Sequence, residues 1–297
     1  MKEDSVKTLL LSDGRLLAYE EYGDLQGYPV LLFHGTPGSR IYSIEDDPKA
    51  TELGIRLIAF DRPGFGASDP KPDRTLLDWA KDINEAAQML GLKEFSVLGV
   101  SGGGPYAAAC GYVAPQGLKS VALVASSMPF QNGKAPSSMV LVNRLAFFLS
   151  RKAPWLLRYI INTQIKMMDK NPEGFKKSLS KGNKHLPEWD RALLEKAEDV
   201  EVTFRHMREA YRQGSEETIR ECVLLSQSWN FSLKSLKVPT YVFHGEADNM
   251  APFEVVQKEM ANAPNCQFFS YKKAGHFISD DEEIWQEVLL TLRDGKK

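Results

Sequence analysis

Hydrophobic positions fall into two patterns along the chain. Near the start, Val6–Leu11 and Arg15–Glu20 flank Ser12-Asp13-Gly14, and an Asp-Gly pair between apolar runs predicts a hairpin. Four short runs follow: PVLLFHG (Pro29–Gly35), IRLIAFD (Ile55–Asp61), EFSVLGV (Glu94–Val100) and LKSVALVAS (Leu118–Ser126). They lack strict alternation, as strands covered on both faces of a parallel sheet do. Between them, Leu76, Leu77, Ala80, Ile83, Ala87 and Leu90 lie on one stripe of a helix over Thr75–Leu90. Two more strands are predicted at Val238–Gly245 and Cys266–Ala274. Alternation of strand and helix predicts an α/β fold with a mostly parallel sheet, an antiparallel N-terminal hairpin and helices on both faces.

Strand signals vanish between Ser127 and Leu236. Helical patterns punctuated by Pro and Asn-Pro replace them: Ser138–Ser150, Pro154–Met168, Pro172–Ser180, Pro187–Ala197, Val202–Arg212 and Glu216–Trp229. The expected organisation is a discontinuous core, residues 1–127 and 235–297, with a helical lid inserted at 128–234.

Composition narrows the function classes. The 297 residues carry a formal net charge of -2 and are 43% hydrophobic, so no basic surplus points to nucleic acid and no polybasic block to anionic lipid. Cys110, Cys222 and Cys266 lie far apart, which argues against a disulfide framework or a zinc site and for a reducing compartment. The N-terminal MKEDSVKTLL has no apolar signal-peptide segment. The apolar stretch Met139–Leu149 is too short to span a bilayer. A cytoplasmic protein acting on a small molecule is expected, with no cofactor or metal, no nucleic-acid partner and no stable membrane insertion. The sequence carries no signal for an oligomeric state.

The stretch VLGVSGGGP surrounds one serine, Ser101, with Gly99, Gly102, Gly103 and Gly104, where a strand is expected to meet a helix. A sharp strand-to-helix turn brings the flanking residues together. Gly99 and Gly103 then make room, and the serine hydroxyl is pushed up at the sheet edge. The N–H of Gly102 points to the same space at the positive end of the helix. A serine needs a base. Of five histidines, His34 and His244 each end a strand, and His185 and His206 read as solvated surface residues of the insertion. His276, after the last strand, is the candidate base. Glu246 and Asp248, just past the preceding strand, are the candidate acids. The order Ser, acid, His is that of the α/β-hydrolase triad.

The chain resembles the α/β-hydrolase superfamily over nearly its full length. The resemblance is carried by HGTPG (His34–Gly38), DRPGFGAS (Asp61–Ser68), GVSGG (Gly99–Gly103), HGEAD (His244–Asp248) and GHF (Gly275–Phe277). It implies Ser101 as nucleophile, His276 as base and Asp248, in preference to Glu246, as the orienting acid. It also implies that the N–H groups of Thr36 and Gly102 form the oxyanion hole, with His34 and Gly35 supporting that loop. Pro37 fixes the loop, and Asp61 and Arg62 are expected in structural ion pairs or caps. The implied chemistry is acyl transfer through an acyl-enzyme. Ser101 stands where dehalogenases and epoxide hydrolases of the superfamily use aspartate.

HGTPG is also similar to the HGGPG of prolyl aminopeptidases, but Thr36 replaces a glycine and Gly102 a tryptophan. The lid acids such a peptidase needs would be Glu188, Asp190 or Glu195, which read as a solvated face. An apolar lid over Ser101 favours a small hydrophobic carboxylic ester. A prolyl-type aminopeptidase, a carbon–carbon bond hydrolase and a slow-turnover ligand sensor are the alternatives.

Overall fold

The computed structural model describes residues 6–181, 184–194, 197–261 and 263–295. Eight strands form one sheet: β1 (Lys7–Leu10), β2 (Leu16–Gly23), β3 (Tyr28–Phe33), β4 (Ile55–Phe60), β5 (Phe95–Val100), β6 (Leu118–Val124), β7 (Thr240–Gly245) and β8 (Cys266–Tyr271). Their spatial order is β1-β2-β4-β3-β5-β6-β7-β8. β2 pairs antiparallel with both β1 and β4, and every pairing from β4 to β8 is parallel. Every residue of β5 and of β7 is buried, which accounts for their unbroken apolar character. β1 buries only Leu9, as an edge strand with one open face does.

Helices cover both faces. On one side α2 (Leu76–Met89) and α3 (Gly104–Val113) pack their apolar residues against Leu31, Phe33, Phe95 and Val97. Trp79 of α2 is fully buried and meets Phe33, Phe60 and Tyr106 edge-on. The start of α2 is fixed by a reciprocal pair, in which the Thr75 side chain accepts from the Asp78 N–H and the Asp78 carboxylate from the Thr75 N–H. On the other side α1 (Asp47–Glu52) and α11 (Glu282–Asp294) close a second core around Leu32, Leu57, Leu98 and Val124. α1, α11 and α10 (Phe253–Met260) were not among the expected helices.

Between β6 and β7 the chain forms α4 (Leu141–Lys152), α5 (Pro154–Lys170), α6 (Pro172–Lys181), α7 (Glu188–Leu194), α8 (Ala197–Ala210) and α9 (Glu216–Leu225). This helical insert has its own small core of Leu149, Leu157, Ile161, Met168, Phe175, Phe204, Tyr211 and Ile219. Among the described residues no helix is long and apolar enough to cross a membrane.

Since β3 to β8 are parallel, their C-terminal ends share one edge. That edge carries His34 after β3, Asp61 after β4, Ser101 after β5, Asp248 after β7 and His276 after β8. A crevice outside the carboxyl ends of the strands is where open α/β sheets bind ligands.

Candidate active site

Ser101 stands in a single 3₁₀ turn, Ser101–Gly103, between β5 and α3. Its φ is +52°, a left-handed conformation that a residue with a side chain adopts only under constraint. The constraint is close packing. A Cβ on Gly99 would collide with the Gly103 carbonyl, and one on Gly103 with the Phe33 and His34 carbonyls. The glycines around Ser101 thus allow β3, β5 and the start of α3 to touch backbone to backbone.

His276 Nε2 lies 2.9 Å from Ser101 Oγ, and His276 Nδ1 lies 2.8 Å from Asp248 Oδ2. An ionised carboxylate only accepts, so Nδ1–H donates to Asp248 and Nε2 accepts from the serine hydroxyl. Asp248 Oδ1 accepts from the N–H groups of Met250 and Ala251, 2.8 Å each. Burial works to raise the Asp248 pKa. The charge of His276 and hydrogen bonds from His244 and His276 outweigh it and hold the carboxyl well below the usual carboxylate range. Glu246 points elsewhere: its carboxylate accepts from Ser270 Oγ at 2.8 Å. Burial lowers the His276 pKa, but the carboxylates of Asp248, Asp190 and Asp280 more than reverse this, so it is raised above 6.5.

The HGTPG loop folds over this group. Gly35 lies beside Ser101, where an added Cβ would come within 3.5 Å of the serine Cβ. Thr36 N would be 3.2 Å from a Cβ on Gly102, so the Thr36 and Gly102 backbones sit side by side. Gly102 is in the first turn of its helical segment, where N–H groups have no intrahelical acceptor. His34 is fully buried and holds the loop from beneath: Nδ1 donates to Gly35 O at 2.8 Å, and Nε2 accepts from the Arg62 N–H at 3.1 Å. Burial, with the charge of Arg62 adding to it, keeps His34 neutral by pushing its pKa well down.

Three residues of the helical insert hold this loop and the His276 loop in place: Glu221, not singled out in the sequence, and Asp190 and His206, both expected on solvated faces. Glu221 of α9 has no exposure and accepts from Thr36 Oγ1 (2.5 Å), Arg62 Nε (2.9 Å), Arg62 Nη2 (2.6 Å), Tyr106 OH (2.7 Å) and Arg74 Nη2 (3.3 Å). Arg62 in turn donates to the carbonyls of His34 and Gly35. The expected ion pairing of Arg62 and Asp61 is present: Asp61 Oδ2 is 2.7 Å from Arg40 Nη1.

Asp190 of α7, expected on a solvated face, is buried, and its two oxygens accept from the His276 and Phe277 N–H groups at 3.0 and 3.2 Å. Gly275 has no side chain because the Asp190 carboxylate occupies that space. His206 of α8, also expected at the surface, is buried beside Tyr42 and within 3.1 Å of Ser39 Oγ. Burial, with the charge of Arg62 adding to it, lowers its pKa to about 4. Glu188 and His185 are exposed, and Glu195 lies outside the described residues. No three side chains among the described residues converge as metal ligands do.

A match to the alpha/beta hydrolase fold family spans residues 28–283, and the chain belongs to that family. It is 27% identical to the non-heme chloroperoxidase CPO-A1 of Kitasatospora aureofaciens, over 94% of this chain and 96% of that protein. It is 39% identical to the proline iminopeptidase of Heyndrickxia coagulans, but over only 32% of this chain and 34% of that one. Among solved structures it superposes on a hydrolase from Pseudomonas aeruginosa PA01 with a TM-score of 0.71 and 20% identity, covering 99% and 100% of the two chains. With that membership the protein is a hydrolase of the alpha/beta family.

Replacing Glu221 by Gln leaves the buried Arg62 without its counter-charge and Arg74 with Glu217 alone. Breaking a buried pair this way costs about 3–5 kcal/mol. Urea unfolding of Glu221→Gln should show a loss of that size. A loss under about 1 kcal/mol would mean that the cluster is not what ties α9 to the loop.

Proposed function

We propose that the protein is a serine hydrolase that cleaves small hydrophobic carboxylic esters. The carrying observation is the continuous line Ser101 Oγ, His276, Asp248, with 2.9 and 2.8 Å links. In this reading His276 takes the serine proton as the alkoxide attacks the ester carbonyl. Asp248 holds the tautomer and stabilises the imidazolium, and the Thr36 and Gly102 N–H groups receive the oxyanion. His276 then protonates the leaving alcohol, and water, activated by the same imidazole, hydrolyses the acyl-enzyme. The insert acts as the lid.

Three observations favour an ester over an aminoacyl amide. A small cavity of about 10 Å³, lined by Met128, Phe130, Pro136, Met139, Val255 and Val256, opens beside Ser127, whose N–H donates to the Ser101 carbonyl. The lining is apolar, but about 10 Å³ is room for roughly one water, so an acyl chain enters only where these side chains move apart. Asp190, the acid of α7, is fully buried with each oxygen accepting an N–H of the His276 loop, so a substrate ammonium would have to displace the side chains that cover it. The iminopeptidase similarity covers about a third of each chain.

A p-nitrophenyl ester series tests the substrate class. kcat/KM should rise from acetate to butyrate and fall by octanoate, and Ser101→Ala should abolish it. A prolyl or alanyl amide that outpaces every ester would replace this reading with the aminopeptidase one.

The free imidazole is the base, so kcat/KM should rise with pH through the His276 ionisation and level off above it. With the pKa raised by its carboxylates, the midpoint should lie above 6.5. Asp190→Asn, which removes one of those charges, should move it down. A midpoint below 6.5 in the wild type, or one that rises in Asp190→Asn, would contradict the assignment.

A further inference from the structure

Helices α4 and α5 leave an unusual face in solvent. On α4, Leu141, Leu145 and Phe148 recur at helical spacing. Trp155 and Tyr159 continue the series on α5, and a single residue, Ala153, separates the two helices. Leu141 is 72% exposed, Phe148 59%, Trp155 67% and Tyr159 69%. These are not core residues lacking room, because the opposite faces of the same helices already fill the insert's core with Leu149, Leu157, Ile161 and Met168.

Charge says what could cover that face. From Leu141 to Lys170 the chain has six basic residues and one acidic residue, Asp169, in a protein of net charge -2. Arg158 is paired with Glu216, and Arg151 donates to the Gly133 carbonyl. Among the described residues Arg144, Lys152, Lys166 and Lys170 form no ion pair, and all four are exposed. They are spread at helical spacing, not in a run, so the linear sequence presents no polybasic block. A second copy docked face to face would bring these cations against one another, since a two-fold contact meets itself. An anionic surface neutralises them. Exposed Trp, Tyr, Phe and Leu ringed by Lys and Arg are what an amphipathic helix needs to lie in a headgroup layer.

We propose that α4 and α5 form a docking face for an anionic phospholipid bilayer, on which the protein rests peripherally without spanning it. The apolar side chains enter the interface, and Arg144, Lys152, Lys166 and Lys170 contact the phosphates. Such a surface would bring the insert to where apolar esters partition.

Sedimentation with vesicles of phosphatidylcholine alone, and of phosphatidylcholine with one-third phosphatidylglycerol, tests this. The intact protein should bind the anionic vesicles at least tenfold more tightly, and the difference should shrink as salt rises. Each basic side chain near such a surface contributes about fivefold. The combined change Arg144→Gln, Lys152→Gln, Lys166→Gln and Lys170→Gln should therefore reduce partitioning by about a hundredfold or more. Phe148→Ser with Trp155→Ser should also weaken binding, but with the salt dependence kept. Both variants alter exposed positions, so their thermal midpoints and turnover of a soluble activated ester should match the wild type. Equal binding to both vesicle types, or none to either, would overturn the proposal. So would a wild-type dimer in sedimentation velocity that Leu145→Glu disperses.

Discussion

A carboxylate without access to water organises this molecule. Glu221 sits on a helix of the insert, yet its five donors come from the core: Thr36, Arg62 twice, Arg74 and Tyr106. Isolated, such a charge would cost several kcal/mol to bury. Here the Arg62 guanidinium lies against it and over the Tyr106 ring at 4.8 Å. Arg74 bridges on to Glu217, one turn earlier on α9. Burial would raise the Glu221 pKa, but the arginines reverse this and hold it below its ordinary value. The cluster therefore stays charged at neutral pH. Because Arg62 also holds the His34 and Gly35 carbonyls, the geometry of the HGTPG loop depends on a residue of α9, the last helix of the insert.

The same principle recurs around the crevice. Asp190 caps the His276 loop from α7, Glu209 pairs with Arg40 at 2.5 Å from α8, and Gln213 donates to the Gly66 and Ser68 carbonyls. Helices α7 to α9 are thus fastened to the core by buried and half-buried polar contacts, of which the buried ones are expensive to leave unmade. Helices α4 and α5 instead turn a broad apolar and cationic face outward. The insert thus has a positioning half and an exposed half.

Much of this was legible in the sequence, because its causes are local. Buried strands announce themselves as unbroken apolar runs. A glycine pair around one serine announces a tight strand-to-helix turn, and β5, the Ser101–Gly103 turn and α3 have that form. Glu221 and Asp190 were not legible, because their partners lie far away in the chain: Thr36 is 185 residues from Glu221, and His276 is 86 from Asp190. One hint was available. Glu217 and Glu221 fall on the same face of α9 as Thr218, Cys222 and Leu225, and carboxylates on an apolar face imply buried cations somewhere. His206 misled for the converse reason, since a histidine on a polar-looking helix gives no sign that Ser39 and Tyr42 will cover it.

In the proposed mechanism the scaffold presents one nucleophile, Ser101, to one base, His276. Treatment of the folded protein with a fluorophosphonate, followed by peptide mass mapping, addresses it directly. A single stoichiometric adduct on Ser101 is expected, formed faster as His276 loses its proton. An adduct on any other residue, or undiminished labelling of Ser101→Ala, would contradict it.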